Sequence, residues 1–396
     1  MAGWSSLPGD LINRVADRLL ATDDLDYYMD FRAVCNSWRS STADPRGSPR
    51  DPRFLPRQWV MLDEVHQTDA RLFVNAATGR FVRRDLPLLR RYFVVAGAAG
   101  GSVVLSERAY PHAARVLNPF TGSLLRFEAP VPSETTVAAA HVFGSSPPML
   151  VLISDESSSI TWVDPDSEIF IELKDERYIY PPIKLALVGG IYAAAHEGGS
   201  LPSLLVPTVN KILDVASKPI RDYFLGPVAA ENRGCFFVES AGEMLMVFKM
   251  PHRIEVFKFD ARSDKLEPAK DLGSRALFVA DCRCLSVDAE KLPSVEANCI
   301  YYVVVKEPWY KIGVYSLKDG MEAWAGEAID SFNPMTLSPR VSPPFTVVQL
   351  LCSYTFEVRG SQLQWEKISA ALSALDPDLV ARRMVEFLAY DSESEY

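Results

Sequence analysis

Residues 117–124, LNPFTGSL, recur in altered form along the chain: VNAATGRF at 74–81, VDPDSEIF at 163–170, LDVASKPI at 213–220, FDARSDKL at 259–266 and YSLKDGME at 315–322. Each copy sets an apolar residue before Asn, Asp or Ser and places Thr, Ser or Asp three positions on. In five of the six an apolar residue follows three further. A short polar side chain at the first of those positions can hydrogen-bond the local backbone and close a hairpin, while the flanking apolar residues face a core. Successive copies start 43, 46, 50, 46 and 56 residues apart, near the roughly 40 to 50 residues of one four-stranded propeller blade. The repeat predicts a β-propeller of six or seven blades.

Outward from these turns the chain is β-branched and aromatic in short runs, Trp59–Leu62, Phe93–Val95, Leu150–Ile153, Phe236–Val238 and Tyr301–Val305, each bounded by turn residues. Gly100-Gly101, Gly189-Gly190 and Gly242 precede three of the repeat copies and supply the inner hairpin turn that a blade also needs. With 28 Pro in 396 residues, long helical bundles are disfavoured.

The first 43 residues read differently. Leu11, Ile12, Val15 and Leu19 keep helical spacing after Pro8, so a helix is expected from Gly9 to Leu20. Thr22 and Asp23 offer caps for a second segment, in which Leu25, Tyr28, Phe31, Val34, Cys35 and Trp38 recur every three or four residues. A module of about 40 residues cannot bury so many large apolar groups by itself. Residues 44–57, DPRGSPRDPRFLPR, carry four prolines among Arg and Asp, the composition of an extended, semi-rigid spacer.

The order Leu7-Pro8, Asp10-Leu11-Ile12, Leu19, Phe31-Arg32, Val34-Cys35 and Trp38-Arg39 resembles the F-box, by which substrate receptors dock onto the Skp-type subunit of a cullin-RING ubiquitin ligase. The resemblance implies Leu7, Pro8, Leu11, Ile12, Val15, Leu19, Leu25, Phe31, Val34 and Trp38 as the docking residues; taken alone, the same stripe also fits a purely internal core. The repeat, with RIEVFKFD (253–260), KDLGSRALFVAD (270–281), EANCIYY (296–302) and IGVYSLKDG (312–320), is similar to the kelch-like, KIB-type propeller of plant F-box proteins. That family often carries a Gly-Trp pair at its first hairpin, where Gly101-Ser102 stands here. The expected organisation is an all-α F-box module over 1–43, a linker over 44–57, an all-β propeller over 58–359, and over 360–396 a helix starting near Asp376-Pro377 with an acidic tail. What this implies is the receptor subunit of an SCF-type ligase, which binds a target protein without catalysis of its own. The competing implication is a scaffold or inhibitor that binds without turnover.

Composition narrows the partners. The net charge is −10, and residues 1–58 hold eight Arg and eight Asp, so the excess acid lies in the propeller and tail. Without a segregated basic patch, such a surface is not expected to bind nucleic acid. Apolar runs such as Ile300–Val305 reach six residues, where a membrane span needs about 20. Six cysteines without framework spacing, and no Asn-x-Ser/Thr acceptor, suit a reducing compartment, nucleus or cytoplasm. His66, His112, His141, His196 and His252 lie in no metal spacing, Cys282 and Cys284 lack a second pair, and Gly97 to Gly101 is followed by no Lys-Ser/Thr. No metal, cofactor or catalytic residue is expected. Every basic residue before Lys174 is Arg, so lysine-directed modification of the chain itself is expected on the propeller or tail.

Overall fold

The computed structural model describes residue 4, most of 7–173 and 234–356, and the short stretches 186–188, 191–193 and 362–363. Three helices open the chain: α1 (Gly9–Leu20), α2 (Leu25–Ala33) and α3 (Asn36–Ser41). The strands that follow form sheets one after another along the chain, antiparallel except for one parallel pair in the fifth. The first holds β1 (Trp59–Met61), β2 (Ala70–Asn75) and β3 (Phe81–Asp85). The second holds β4 (Tyr92–Gly97), β5 (Val103–Glu107), β6 (Ala113–Leu117) and β7 (Leu124–Pro130), and the third β8 (Val137–Phe143), β9 (Met149–Ser154), β10 (Ile160–Val163) and β11 (Ile171–Leu173). A hairpin of β12 (Ala186–Val188) and β13 (Ile191–Ala193) precedes a fourth sheet of β14 (Gly234–Ser240), β15 (Glu243–Met250), β16 (Arg253–Asp260) and β17 (Lys265–Pro268). The fifth contains β18 (Arg275–Val279), β19 (Cys284–Asp288), β20 (Cys299–Lys306), β21 (Trp309–Ser316) and β22 (Met321–Glu327), and a minimal pair, β23 (Phe332–Asn333) with β24 (Ser338–Pro339), follows.

The repeated octapeptide sits at one place in each sheet, the turn into the last strand: β2–β3, β6–β7, β10–β11, β16–β17 and β21–β22. Its chemistry is that of an Asx or Ser turn. Asn75 Oδ1 accepts the Ala77 and Thr78 amides at 3.0 Å each, Asn118 Oδ1 those of Phe120 and Thr121 at 3.1 and 3.3 Å, and Asp164 Oδ1 those of Asp166 and Ser167 at 3.0 and 2.9 Å. In the last copy Ser316 Oγ accepts the Asp319 amide at 3.3 Å.

The sheets pack face to face as a ring requires. One core joins the fourth and fifth sheets, another the second and third, and a third joins the first and second. The fourth core joins the first and fifth sheets, seating Val60 and Val74 of the first against Phe278 and Tyr301 of the fifth, whose rings stack at 4.7 Å. This contact also uses Gly79, whose φ of +67° and close approach to Lys291 leave no room for a side chain: a Cβ would lie 2.4 Å from the Lys291 carbonyl oxygen.

Two expectations are corrected, the blade count and the all-β range, and the fifth sheet has an order of its own. Among the described residues there are five sheets of three or more strands, not six or seven blades; five repeat copies fall in these sheets, and the sixth, 213–220, lies outside the described residues. The fifth sheet runs β19-β18-β20-β21-β22 with β18 and β20 parallel, because the chain crosses back through residues 289–298 instead of turning as a hairpin. Inside the range read as all-β lies a helix, α4 (Val347–Phe356), which buries Val348, Leu351 and Cys352 in the core of the first and fifth sheets. Burial pushes the Cys299 thiol of that core up to about 11. The helix expected near Asp376 lies outside the described residues, as does Cys282; Cys284 is half-buried and lies 3.8 Å from the Ala280 carbonyl oxygen.

Candidate protein-docking site

Helix α1 is two-faced because its apolar residues fall on two stripes. Ile12, Ala16 and Leu19 turn inward, with Ile12 and Ala16 buried and Leu19 half-buried. Pro8, Leu11 and Val15 line the other side; Leu11 is 41% and Val15 43% exposed, and Pro8 is also exposed. Pro8 sits where its missing amide costs nothing, and its carbonyl accepts the Leu11 and Ile12 amides at 3.1 Å each. Past the end of α2, Val34 is 61% exposed.

The other residues of the expected docking set are placed otherwise. Leu25 is buried against the propeller, in one core with Phe54, Trp59 and Phe73. Phe31 and Trp38 are half-buried and stacked on each other at 4.4 Å, and Trp38 Nε1 donates to the Trp4 carbonyl at 3.2 Å. Leu7 is half-buried. Among the described residues of the module, the exposed large apolar side chains are Trp4, Leu11, Val15, Tyr27 and Val34, and Pro8 is exposed as well.

What carries these helices is the first repeat turn. Asp24 caps α2, its Oδ1 accepting the Asp26 amide at 3.2 Å, while Thr22 Oγ1 donates back to the Leu19 carbonyl at 2.6 Å and Asp23 lies outside the described residues. Asp24 is fully buried and survives there because Arg80, in the β2–β3 turn, meets both its oxygens at 3.1 and 2.8 Å. The same guanidinium reaches Asp26 at 2.8 Å, lies 4.3 Å from the Tyr27 ring and 5.0 Å from that of Trp59, and Arg84 also pairs with Asp26. Burial pulls the Arg84 guanidinium below its usual range, opposed by the charge of Asp24.

The second repeat turn holds the linker. Arg46 Nε donates to the Thr121 carbonyl at 2.9 Å, Asn118 Nδ2 donates to the Phe54 carbonyl at 2.6 Å, and Pro45, Phe54 and Pro56 are buried. Arg32 ties the exit of α3 by donating to the Thr42 and Ala43 carbonyls at 2.7 and 2.6 Å; the Tyr28 hydroxyl also donates to Ala43, at 2.7 Å, and burial raises its pKa against the opposing charge of Arg32. The described residues of the linker are thus docked on the propeller, through Arg46 and Phe54, rather than standing off as a spacer. Sequence reasoning missed Asp24, Arg80 and Arg84; no local signal pairs residues 56 apart, as Asp24 and Arg80 are.

Among the described residues no three His, Cys, Asp or Glu side chains gather as a metal site, and no helix is long and apolar enough to cross a membrane. The arrangement offers an exposed apolar face rigidly joined to a ring of sheets, which suits binding.

Residues 73–316, more than half of the chain, match the family described as the KIB1-4 beta-propeller. The chain is 41% identical over 63 residues to the putative F-box protein At1g65770 of Arabidopsis thaliana, covering 16% of each chain. It is 35% identical over 91 residues to the F-box protein SKIP23 of the same plant, covering 23% of this chain and 19% of that one. The matched segments thus span less than a fifth of either relative. Among solved structures, Kluyvelomyces marxianus Hsv2 aligns with 52% of this chain and 81% of its own at 12% identity and a TM-score of 0.20, a likeness too slight to carry an argument.

Proposed function

The chain belongs to the KIB1-4 beta-propeller family, and from that premise we propose that it is the substrate-recognition subunit of an SCF-type ubiquitin ligase in the nucleus or cytoplasm. The α1 face would hold the Skp-type subunit and the propeller a target protein. The observation that carries the reading is the outward stripe of Pro8, Leu11 and Val15 on a helix whose opposite stripe is already buried. An apolar face of this kind, left over after the module has packed on its own propeller, is what a partner covers. The similarity to two Arabidopsis F-box proteins supports the same partner class.

The mechanism is proximity. A target held on the propeller is brought near a ubiquitin-loaded enzyme, and the chain raises effective concentration without breaking or forming a bond itself. The docked linker makes the geometry fixed, so the distance between target and enzyme is set by the fold.

The test is co-purification of the chain with a plant Skp-type subunit. Leu11→Asp with Val15→Asp places two charges on the exposed stripe, where they cost the fold little but desolvate badly at an interface. The expected result is loss of the complex, by at least about a hundredfold in affinity at roughly 1.5 to 3 kcal/mol per lost apolar anchor, with the unfolding temperature unchanged. Undiminished binding would overturn the proposed face.

A further inference from the structure

We propose that the helices and the first three sheets form a surface kept free of ubiquitin acceptors and turned toward the ligase's own ubiquitin-loaded enzyme, so that self-modification falls on the lysines that follow. The inference rests on the receptor reading above and adds how the receptor escapes the reaction it promotes. Residues 1–173 hold 17 Arg and no Lys, whereas residues 174–396 hold 13 Lys and 11 Arg. The bias is one of position, not of the chain as a whole. Its edge falls at an element boundary, since Leu173 is the last residue of β11, which completes the third sheet.

Structure demands arginine at only some of these places. Arg80 forks onto Asp24, and Arg32 reaches the Thr42 and Ala43 carbonyls. Arg115 donates through Nη1 to the Phe127 carbonyl at 2.5 Å and pairs through Nη2 with Glu107 at 2.6 Å. A compact ammonium could not span such partners. Arg14, Arg18, Arg83, Arg91 and Arg126 differ. All five are exposed, and their side chains make no ion pair or hydrogen bond among the described residues. Lysine would supply the same charge there, as Lys265, Lys270, Lys291 and Lys318 do at exposed positions of the fourth and fifth sheets and their connections.

What separates the two cations at a free position is nucleophilicity. An ammonium, with an ordinary pKa of about 10.4, can lose a proton, and its amine then attacks the thioester carbonyl that joins ubiquitin to the enzyme's cysteine. A carbon–nitrogen bond forms, the carbon–sulfur bond breaks, and the cysteine leaves as a thiol, taking up the second proton of the amine. A guanidinium stays protonated in proteins and offers no such nucleophile. Arginine at exposed, unpaired sites therefore keeps the charge and removes the reaction.

The experiment assembles the full chain with a plant Skp-type subunit, a cullin-RING subunit and a ubiquitin-charged enzyme, without a target, and maps modified lysines by mass spectrometry over time. Arg83→Lys, Arg91→Lys and Arg126→Lys together place three acceptors on the first two sheets and the turn between them, with the unfolding temperature unchanged. Each introduced lysine is expected to be modified at least about tenfold faster than Lys265, Lys270 or Lys318, because proximity to the thioester sets the rate. Leaving out the Skp-type subunit should abolish the modification. Introduced lysines modified no faster than the native ones, or modified equally without the Skp-type subunit, would overturn the proposal. A chain that forms no complex with the Skp-type subunit overturns the ligase reading itself, so the two failures are told apart before any ubiquitin is added.

Discussion

Asp24 does two jobs whose demands conflict. As the cap of α2 it must present a carboxylate to a backbone amide, and as a fully buried residue it cannot keep that charge alone. Arg80 resolves the conflict by meeting both carboxylate oxygens with a planar fork. Removing the fork leaves the charge buried, so Arg80→Ala is expected to destabilise the chain by about 3 to 5 kcal/mol. Arg80→Lys should recover only part of the loss, since an ammonium meets a carboxylate as a point charge rather than bidentately. Denaturant unfolding checks both variants. Hydrogen exchange of the α2 amides supplies the site-specific readout: with Arg80→Ala those amides should lose protection before the strands of the fourth sheet do. Uniform loss across the chain would assign Arg80 to general stability instead of to seating α2.

At the level of elements, the repeat turn is both a hairpin and a contact. In the first sheet it grips α2 and meets Lys291 between β19 and β20, and in the second it grips the linker. Gly79→Ala is therefore expected to cost more than the roughly 1 kcal/mol of a left-handed backbone alone, because the added methyl also meets the Lys291 carbonyl. Gly242 provides the comparison. Its φ is +82° but nothing lies within 4 Å of where an added methyl would sit, so Gly242→Ala should show the backbone cost only. Equal losses of unfolding free energy in the two variants would mean that the Lys291 contact is slack. These turns are legible in the sequence because an Asx turn is a local device, written within four residues. The α1 boundaries are legible for the same reason, since periodicity and Pro8 are both local. Helix α4 also carries a local signal, one that the β-rich pattern around it obscures: Thr346 and Gln349 form a reciprocal cap, with the Gln349 amide on Thr346 Oγ1 at 3.2 Å and the Thr346 amide on Gln349 Oε1 at 2.9 Å. The parallel pairing of β18 with β20 has no such signal, because only the ring decides which edge the returning strand meets.

For the whole molecule, the decisive fact is that the helices and the propeller share one core. Leu25 and Tyr28 of α2, Phe54 of the linker, and Trp59, Phe73 and Phe120 of the first two sheets pack together, with Trp59 and Phe120 at 4.6 Å. The composition of residues 44–57 points to a boundary between two modules. Energetically it is not a seam. Tyr28 lies against Phe54 with centroids 5.6 Å apart, so linker and helix also bury each other. A chain beginning at residue 59 would lose the large buried side chains Leu25, Tyr28 and Phe54 together with Ala16, and would expose the indole they help to cover. At roughly 1.5 to 3 kcal/mol each, that is several kcal/mol, and the unfolding temperature of the truncated propeller should fall by an order of 10 °C. The full chain should unfold in one transition, seen together by far-ultraviolet dichroism of the sheets and by tryptophan emission, to which Trp59 contributes as one of seven tryptophans. Two separated transitions, or a truncated propeller as stable as the full chain, would mean that the helices move independently of the sheets. The fixed geometry would then be lost, because proximity catalysis through a swinging module sets no definite distance between a bound target and the enzyme that modifies it.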